Sequence, residues 1–259
     1  MSSGPEVHLS PLPRADGSAA FSHNGYKVLS SVNGPIEAPK KDEAAFEANI
    51  DLIVRPAAGV GGTREKHLES LLHAALSSII PLKNFPRCLI QIVLQITETP
   101  ENDYVNAKIV QAQANLAAIP ALLHSAILGL MAAAIPLNCL ASATVLATAP
   151  TAEADGGKQA ITVDPSAVEI SRARAVHVFS FTSKDELLMA ESEGEFSAIE
   201  LADAMAVAKD VCCRAVKEEQ GLDTAMEGTD GNEPTNMRQF MQSVVEAKLR
   251  VDMQWKIGA

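Results

Sequence analysis

Hydrophobic and polar residues follow two different spacings along the chain, and each spacing predicts a secondary-structure element. Apolar residues occupy every second position between Ile90 and Ile96, which predicts a strand. After Thr63, apolar residues recur at helical spacing, which predicts an amphipathic helix with Thr63 as its N-cap. The buried stripe of this helix would consist of Leu68, Leu71, Leu72, Ala75, Leu76 and Ile79.

A β-hairpin is predicted between Phe21 and Ser31. Asn24-Gly25 lies at its centre, and these two residue types readily adopt the positive φ angles that a type I′ turn requires.

The other elements alternate in groups. The remaining predicted strands cover 49–55, 139–148, 160–163, 174–181 and 187–190, and the remaining predicted helices cover 114–135, 197–217 and 237–255. Strands come in pairs before helices rather than in strict alternation. The pattern therefore predicts an α/β (α+β) fold in which mixed β-sheets pack with α-helices.

The apolar stretch from Ala112 to Ala149 raises the alternative of a membrane span. Pro120 and Pro136 divide this stretch and leave 15 residues between them. A span needs about 20 apolar residues. A buried helix followed by a buried strand is the better interpretation, and we expect no membrane association.

Acidic residues outnumber basic ones, 32 to 21, and give a net charge of −11. Proteins that bind nucleic acid tightly on their own carry a basic face, because they neutralise phosphates. The charge balance therefore argues against tight RNA binding by the isolated chain.

The cysteine and histidine pattern predicts no metal site. The four cysteines are Cys88, Cys139, Cys212 and Cys213, and none forms a CxxC pair or has a histidine at zinc-finger spacing. We expect free thiols in a reducing compartment, no cofactor and no secretory signal at the N-terminus.

Six short segments, in this order along the chain, resemble the RNase PH family. They are Asp16–Ser18, Tyr26–Val28, Gly34–Glu37, Phe85–Arg87, Ala133–Leu137 and Val163–Pro165. Residues 53–60 and 63–66 are most similar to a ring subunit of the eukaryotic RNA exosome. The resemblance covers Pro13 to Glu219 and implies an RNase PH-type fold.

Active members of this family remove nucleotides from an RNA 3′ end with inorganic phosphate as the nucleophile. The resemblance implies a Gly-Thr-Arg or Gly-Ser-Arg segment that binds phosphate at the start of the helix after the strand over 89–97. Residues 97–118 of this chain contain no glycine, and their one cation is Lys108. Glu98, Glu101 and Asp103 would repel phosphate.

The family's acidic cluster has the form Asp-x-Asp, with a further Asp four residues on. Here Thr162 and Val168 replace the first and last acids, so Asp164 alone remains. We interpret Asp164 as a turn residue that caps backbone N–H groups at a strand end. A single carboxylate without a phosphate clamp predicts that no catalytic residue is present.

Two basic residues are candidates for contact with RNA. The family places cations near the ring pore at the start of the helix that here follows Thr63, and the matching residues are Arg64 and Lys66. The alternative is an ordinary solvated first turn, since charge at a helix end is usually surface. His124 and His177 lie among apolar neighbours and are interpreted as core histidines.

The resemblance and the missing chemistry together predict a non-catalytic structural subunit of the RNA exosome core. It would complete a hetero-hexameric ring of RNase PH-like subunits with RNA-binding cap subunits. RNA would be threaded through the channel to a separate nuclease for rRNA maturation and RNA turnover, in nucleus, nucleolus and cytoplasm. The alternatives are an active phosphate-dependent 3′-to-5′ exoribonuclease and a homo-oligomeric metabolic enzyme.

The predicted domain organisation has four parts. A flexible N-terminal tail covers residues 1–12, and the RNase PH-like domain covers 13–219. An acidic surface loop covers 220–236, and a C-terminal helix covers 237–259.

Overall fold

The computed structural model describes residues 4–41, 43–100, 115–149, 161–213 and 236–257. Two β-sheets and six α-helices lie within these ranges. The strands are β1 (Glu6–Leu9), β2 (Gly17–His23), β3 (Tyr26–Glu37), β4 (Asn49–Arg55), β5 (Cys88–Glu98), β6 (Ala141–Thr148), β7 (Ile161–Val163), β8 (Ala175–Thr182) and β9 (Leu187–Gly194). The helices are α1 (Thr63–Ile79), α2 (Ile119–Ala132), α3 (Ala167–Arg172), α4 (Ala198–Cys213), α5 (Met237–Asp252) and α6 (Gln254–Ile257).

The first sheet has the strand order β1-β2-β3-β5-β4, and only the β4–β5 pair is parallel. Its central hairpin confirms the predicted turn, because Asn24 and Gly25 have φ angles of 51° and 80°. Helix α1 connects β4 to β5, as a parallel pair requires.

The second sheet is antiparallel, with the strand order β7-β6-β8-β9. All eight residues of β6 are buried, because its neighbours and the helices cover both of its faces. The predicted mixed sheets packed with helices are confirmed.

Helix α2 lies between the two sheets. It packs against β2 and β3 of the first sheet and against β6 of the second. Leu122, Leu123 and Ile127 have no exposed surface. In the described part of the chain, no helix is long and apolar enough to cross a membrane.

The start of α1 differs from the prediction by one residue. Thr63 is the first helical residue, and Gly62 is the N-cap. The Gly62 N–H donates to the Glu65 carboxylate at 2.6 Å. Glycine has no side chain to cap the first turn, so only the half of a capping box in which the acid accepts from the N-cap N–H is present.

The predicted flexible tail over residues 1–12 is wrong for its central part. Residues Glu6–Leu9 form β1, which pairs antiparallel with β2. Four residues give too short an alternating pattern to identify a strand without knowledge of its pairing partner. Of the predicted loop over 220–236, all but Asn236 lies outside the described residues, and a helix begins at Met237.

Gly17 is a sensitive point in the contact between β2 and α2. A Cβ atom on Gly17 would lie 2.3 Å from the Ala133 N atom and 2.4 Å from the Gly129 O atom. We therefore expect Gly17→Ala to lower the free energy of unfolding by about 1–3 kcal/mol or more, as overpacking does. Urea unfolding of Gly17→Ala and the wild type measures the change. Gly61→Ala is the matched control, since its new Cβ would meet nothing closer than 3.8 Å. Equal loss in both variants would contradict this packing.

Candidate functional site

Three segments that are far apart in sequence meet around one cavity of about 350 Å³. The first comprises Asn115, Leu116 and Ala117, shortly before α2. The second is α3 with the residues that follow it into β8, and the third is the end of β9. The resemblance predicts the phosphate clamp in the first segment and the acidic cluster next to the second, so this cavity is the candidate site.

The cavity offers few groups that could hold phosphate. Its polar lining comes from Asn115, Ser171, Arg174 and Glu193. The Arg174 guanidinium lies 3.9 Å from the carboxylate of Glu200, which partly offsets its charge. The Glu193 carboxylate would repel an anion. Residues 115–118 include no glycine, so the close backbone approach that glycine gives a phosphate loop is lacking there.

Asn115 is a buried amide in the wall of this cavity, with 8% of its surface exposed. Its Oδ1 atom accepts a hydrogen bond from the Tyr26 hydroxyl at 3.3 Å, and its Nδ2 atom has no partner among the residues that the structure describes. Tyr26 thereby connects the β2–β3 hairpin to the residues that begin α2. No local pattern in the sequence marks Asn115 or Arg174 as lining residues, because their proximity depends on the packing of the sheets.

Asp164 does not line the cavity. It follows β7 directly and has a φ angle of 48°. Its N–H donates to the Val145 carbonyl at 2.9 Å, and its Oδ1 atom accepts from the Thr144 hydroxyl at 3.3 Å. The turn role predicted for Asp164 at a strand end agrees with these contacts, because its carboxylate accepts from the Thr144 hydroxyl and also has a backbone hydrogen bond with Val145.

Burial determines the ionisation of Asp164 and its neighbour His23. Burial raises the pKa of Asp164, and the nearby His23 and the Thr144 hydrogen bond oppose this rise. Burial lowers the pKa of His23, and the Asp164 carboxylate opposes that change. In the described ranges, no three His, Cys, Asp or Glu residues are grouped so that they could hold a metal ion.

His124 lies on α2, and its Nε2 atom accepts a hydrogen bond from the Ala143 N–H at 3.0 Å. The edge of the Phe21 ring contacts the imidazole, with ring centroids 5.4 Å apart. Burial lowers the pKa of His124 to about 3. The predicted core role is thus confirmed, since the imidazole is neutral at pH 7 and joins α2 to β6. His177 is also buried, and its Nδ1 atom lies 2.8 Å from the Ser192 hydroxyl.

The two predicted RNA-contact residues lie on the first turn of α1, and neither lines the cavity. The Lys66 side chain is 75% exposed and pairs with Glu69. Arg64 is only 8% exposed, and its Nε atom lies 3.3 Å from the carboxylate of Glu65. The interpretation of a solvated first turn holds for Lys66 and is wrong for Arg64. The position of Arg64 in the first turn does not by itself predict that its guanidinium is buried and that the Glu65 carboxylate compensates its charge.

Two sheets around one buried helix, with a cavity where α2 begins, define an RNase PH-type fold. Residues 5–136 match the model of the 3′ exoribonuclease (RNase PH) family, domain 1. The chain belongs to this family.

Similar proteins include components of exosome complexes. The chain is 28% identical to exosome complex component RRP46 of Saccharomyces cerevisiae over 95% of this chain and 99% of that protein. It is 37% identical to exosome complex component rrp46 of Schizosaccharomyces pombe over 38% of this chain and 43% of that protein. The crystal structure of Rrp46 from rice (Oryza sativa) has a TM-score of 0.70 and 19% identity, and the match covers 95% of this chain and 96% of that chain. The predicted resemblance to this ring subunit is confirmed.

Loss of stability in acid should depend on His124. Its pKa is about 3 in the folded chain and 6.5 when exposed, so only the unfolded state takes up the proton between these values. Stability is therefore complete above about pH 6.5 and falls by up to roughly 1.4 kcal/mol per pH unit below it. We expect His124→Asn to reduce the slope of the free energy of unfolding against pH. Urea unfolding at several pH values between 7 and 4.5 measures this slope.

The matched control is His73→Asn, on the exposed face of α1. It should leave the slope unchanged. An unchanged slope in His124→Asn would contradict the neutral, buried imidazole.

Proposed function

We propose that this chain is a non-catalytic structural subunit of an RNA exosome core. It takes one place in a hetero-hexameric ring of RNase PH-like subunits, together with RNA-binding cap subunits. RNA passes through the ring channel to a separate nuclease for rRNA maturation and RNA turnover. The chain would act in the nucleus, in the nucleolus and in the cytoplasm, where such complexes work.

The observation that carries the proposal is the position of the Asp164 carboxylate. It is the one acid retained from the family's cluster, and it contacts Thr144 near His23 instead of facing the cavity where α2 begins. The cavity itself has Glu193 and a partly compensated Arg174. Phosphorolysis needs a held phosphate and an acid or metal at the leaving oxygen, and the described residues around the cavity supply neither.

Assembly is the direct test of the structural role. We expect the purified chain, mixed with RNase PH-like exosome subunits, to enter a ring of six such subunits, because a ring covers sheet edges and apolar patches that the single chain exposes. Size-exclusion chromatography with native mass spectrometry gives the composition. A chain that stays monomeric with every such subunit would overturn the proposal, and a closed ring of this chain alone would favour the homo-oligomeric alternative.

The active exoribonuclease is the alternative from the same family. The chain alone should release no nucleoside diphosphate from RNA with phosphate, whether Mg²⁺ is present or absent. Phosphate-dependent release that Asp164→Asn abolishes would establish the enzyme instead.

RNA contact at the start of α1 is the finer part of the proposal. Lys66 is the exposed cation there, and Arg64 lies beside it with a covered guanidinium. In the assembled complex, Lys66→Ala should weaken RNA binding by a similar factor for all RNA sequences. The slope of the logarithm of affinity against the logarithm of salt concentration should fall by about the amount expected for one phosphate contact. Fluorescence anisotropy over a salt series measures both quantities. Lys209→Ala, an exposed helical lysine on α4, is the matched control. Equal effects of the two variants would contradict a specific contact.

A further inference from the structure

Strand β9 forms one edge of the second sheet. It is eight residues long and pairs with β8 on one side. Among the described residues, no strand pairs with its other side. An edge of this length presents a row of backbone donors and acceptors that an extended segment of another chain can pair with.

The charge along this edge has one sign. Residues 185–195 contain five acids, namely Asp185, Glu186, Glu191, Glu193 and Glu195, and no lysine or arginine. Cations near this edge include Lys184, Arg174, which lies near Glu200, and Arg238 and Lys209, which both act on Asp185. Two copies of β9 would place like charges opposite each other, which is unfavourable across strands. A basic segment would meet opposite charges.

A second cavity, of about 410 Å³, lies at the start of this strand. Leu187 and Leu188 form its apolar wall, and Asn138, Cys139, Lys184 and Glu186 also line it. Leu187 is 47% exposed, which is high for a large apolar residue in a strand. The exposed Leu187 at the rim of this mostly polar cavity offers an apolar contact to one side chain of a strand that adds beside β9, since alternate side chains of an added strand face the same side.

We propose that β9 is a docking edge for an extended, lysine- or arginine-rich segment of a partner protein. The segment adds to the second sheet as a fifth strand, places one apolar side chain against the exposed Leu187 and sets its cations against the glutamates. An acidic edge repels phosphate, so RNA does not fit this surface. The inference rests on this chain alone and not on the proposed place in a ring.

A pair of synthetic peptides tests the edge. The first has the length of β9 and alternates lysine with valine, so that valines face one side and lysines the other. The second has the same sequence with alternate backbone nitrogens methylated, which preserves charge but prevents strand pairing. We expect the first peptide to bind the full chain and to slow amide exchange in β9, and the second to bind at least about tenfold more weakly. Equal binding of both, or no binding of the first at millimolar concentration, would overturn the proposal.

Charge reversal tests the role of the glutamates. In the double variant Glu191→Lys with Glu193→Lys, affinity for the first peptide should fall at least about tenfold, because opposite charges are replaced by like charges. The matched control is Glu246→Lys with Asp252→Lys on α5. It changes the net charge by the same amount but on a different element from β9. Equal loss in both would show that only net charge matters and would overturn the assigned site. If the β9 variant does not fold, judged by its urea midpoint, the methylated peptide alone decides.

Ring assembly separates this inference from the proposed function. If the peptide binds at β9 but the chain does not assemble with RNase PH-like subunits, the ring proposal is wrong and the docking edge stands. If the chain assembles but the peptide does not bind, the docking edge is wrong and the ring proposal stands.

Discussion

Burial of α2 between the two sheets is the constraint on which the rest of the molecule depends. A helix that is apolar on all sides must be covered on all sides, and twelve of its fourteen residues are buried. The first sheet approaches closely enough for the Ser30 hydroxyl to donate to the Ser125 carbonyl at 2.7 Å. Such an approach requires small residues, and Gly17 and Gly129 lie where any side chain would collide. Helix α2 therefore packs against both sheets at once and joins them in one core.

The same helix determines what the candidate site can do. Its beginning places Asn115 against α3, and its middle places His124 against β6. Family chemistry at this point depends on glycines and an arginine where α2 begins, and on acids that face them. Residues 97–118 of this chain contain no glycine and no arginine, and the helix has its structural role without them. A chain can therefore keep the fold while Asp164, the one acid between residues 162 and 168, contacts Thr144.

The sequence was sufficient to predict the elements whose signal is local. The Asn24-Gly25 turn and the helical stripe after Thr63 were correctly predicted because their patterns span only a few neighbouring residues. Features that depend on distant residues were missed. Strand β1 is short and exists through its pairing with β2, and burial of Arg64 depends on packing around α1. The direction of the Asp164 side chain also depends on β6, some twenty residues earlier in the chain.

The distribution of charge gives the two sheets different surfaces. The helix that covers the first sheet exposes Lys66 at its start, whereas β9 of the second sheet carries acids along its free edge. A polyanion is repelled by this acidic edge, while a basic protein segment is attracted to it. In the proposed complex, the chain would need only a few cations where RNA passes, so a net charge of −11 is compatible with the proposed role beside RNA. The excess of acids on other surfaces would then favour basic protein partners and direct the polyanion away from them.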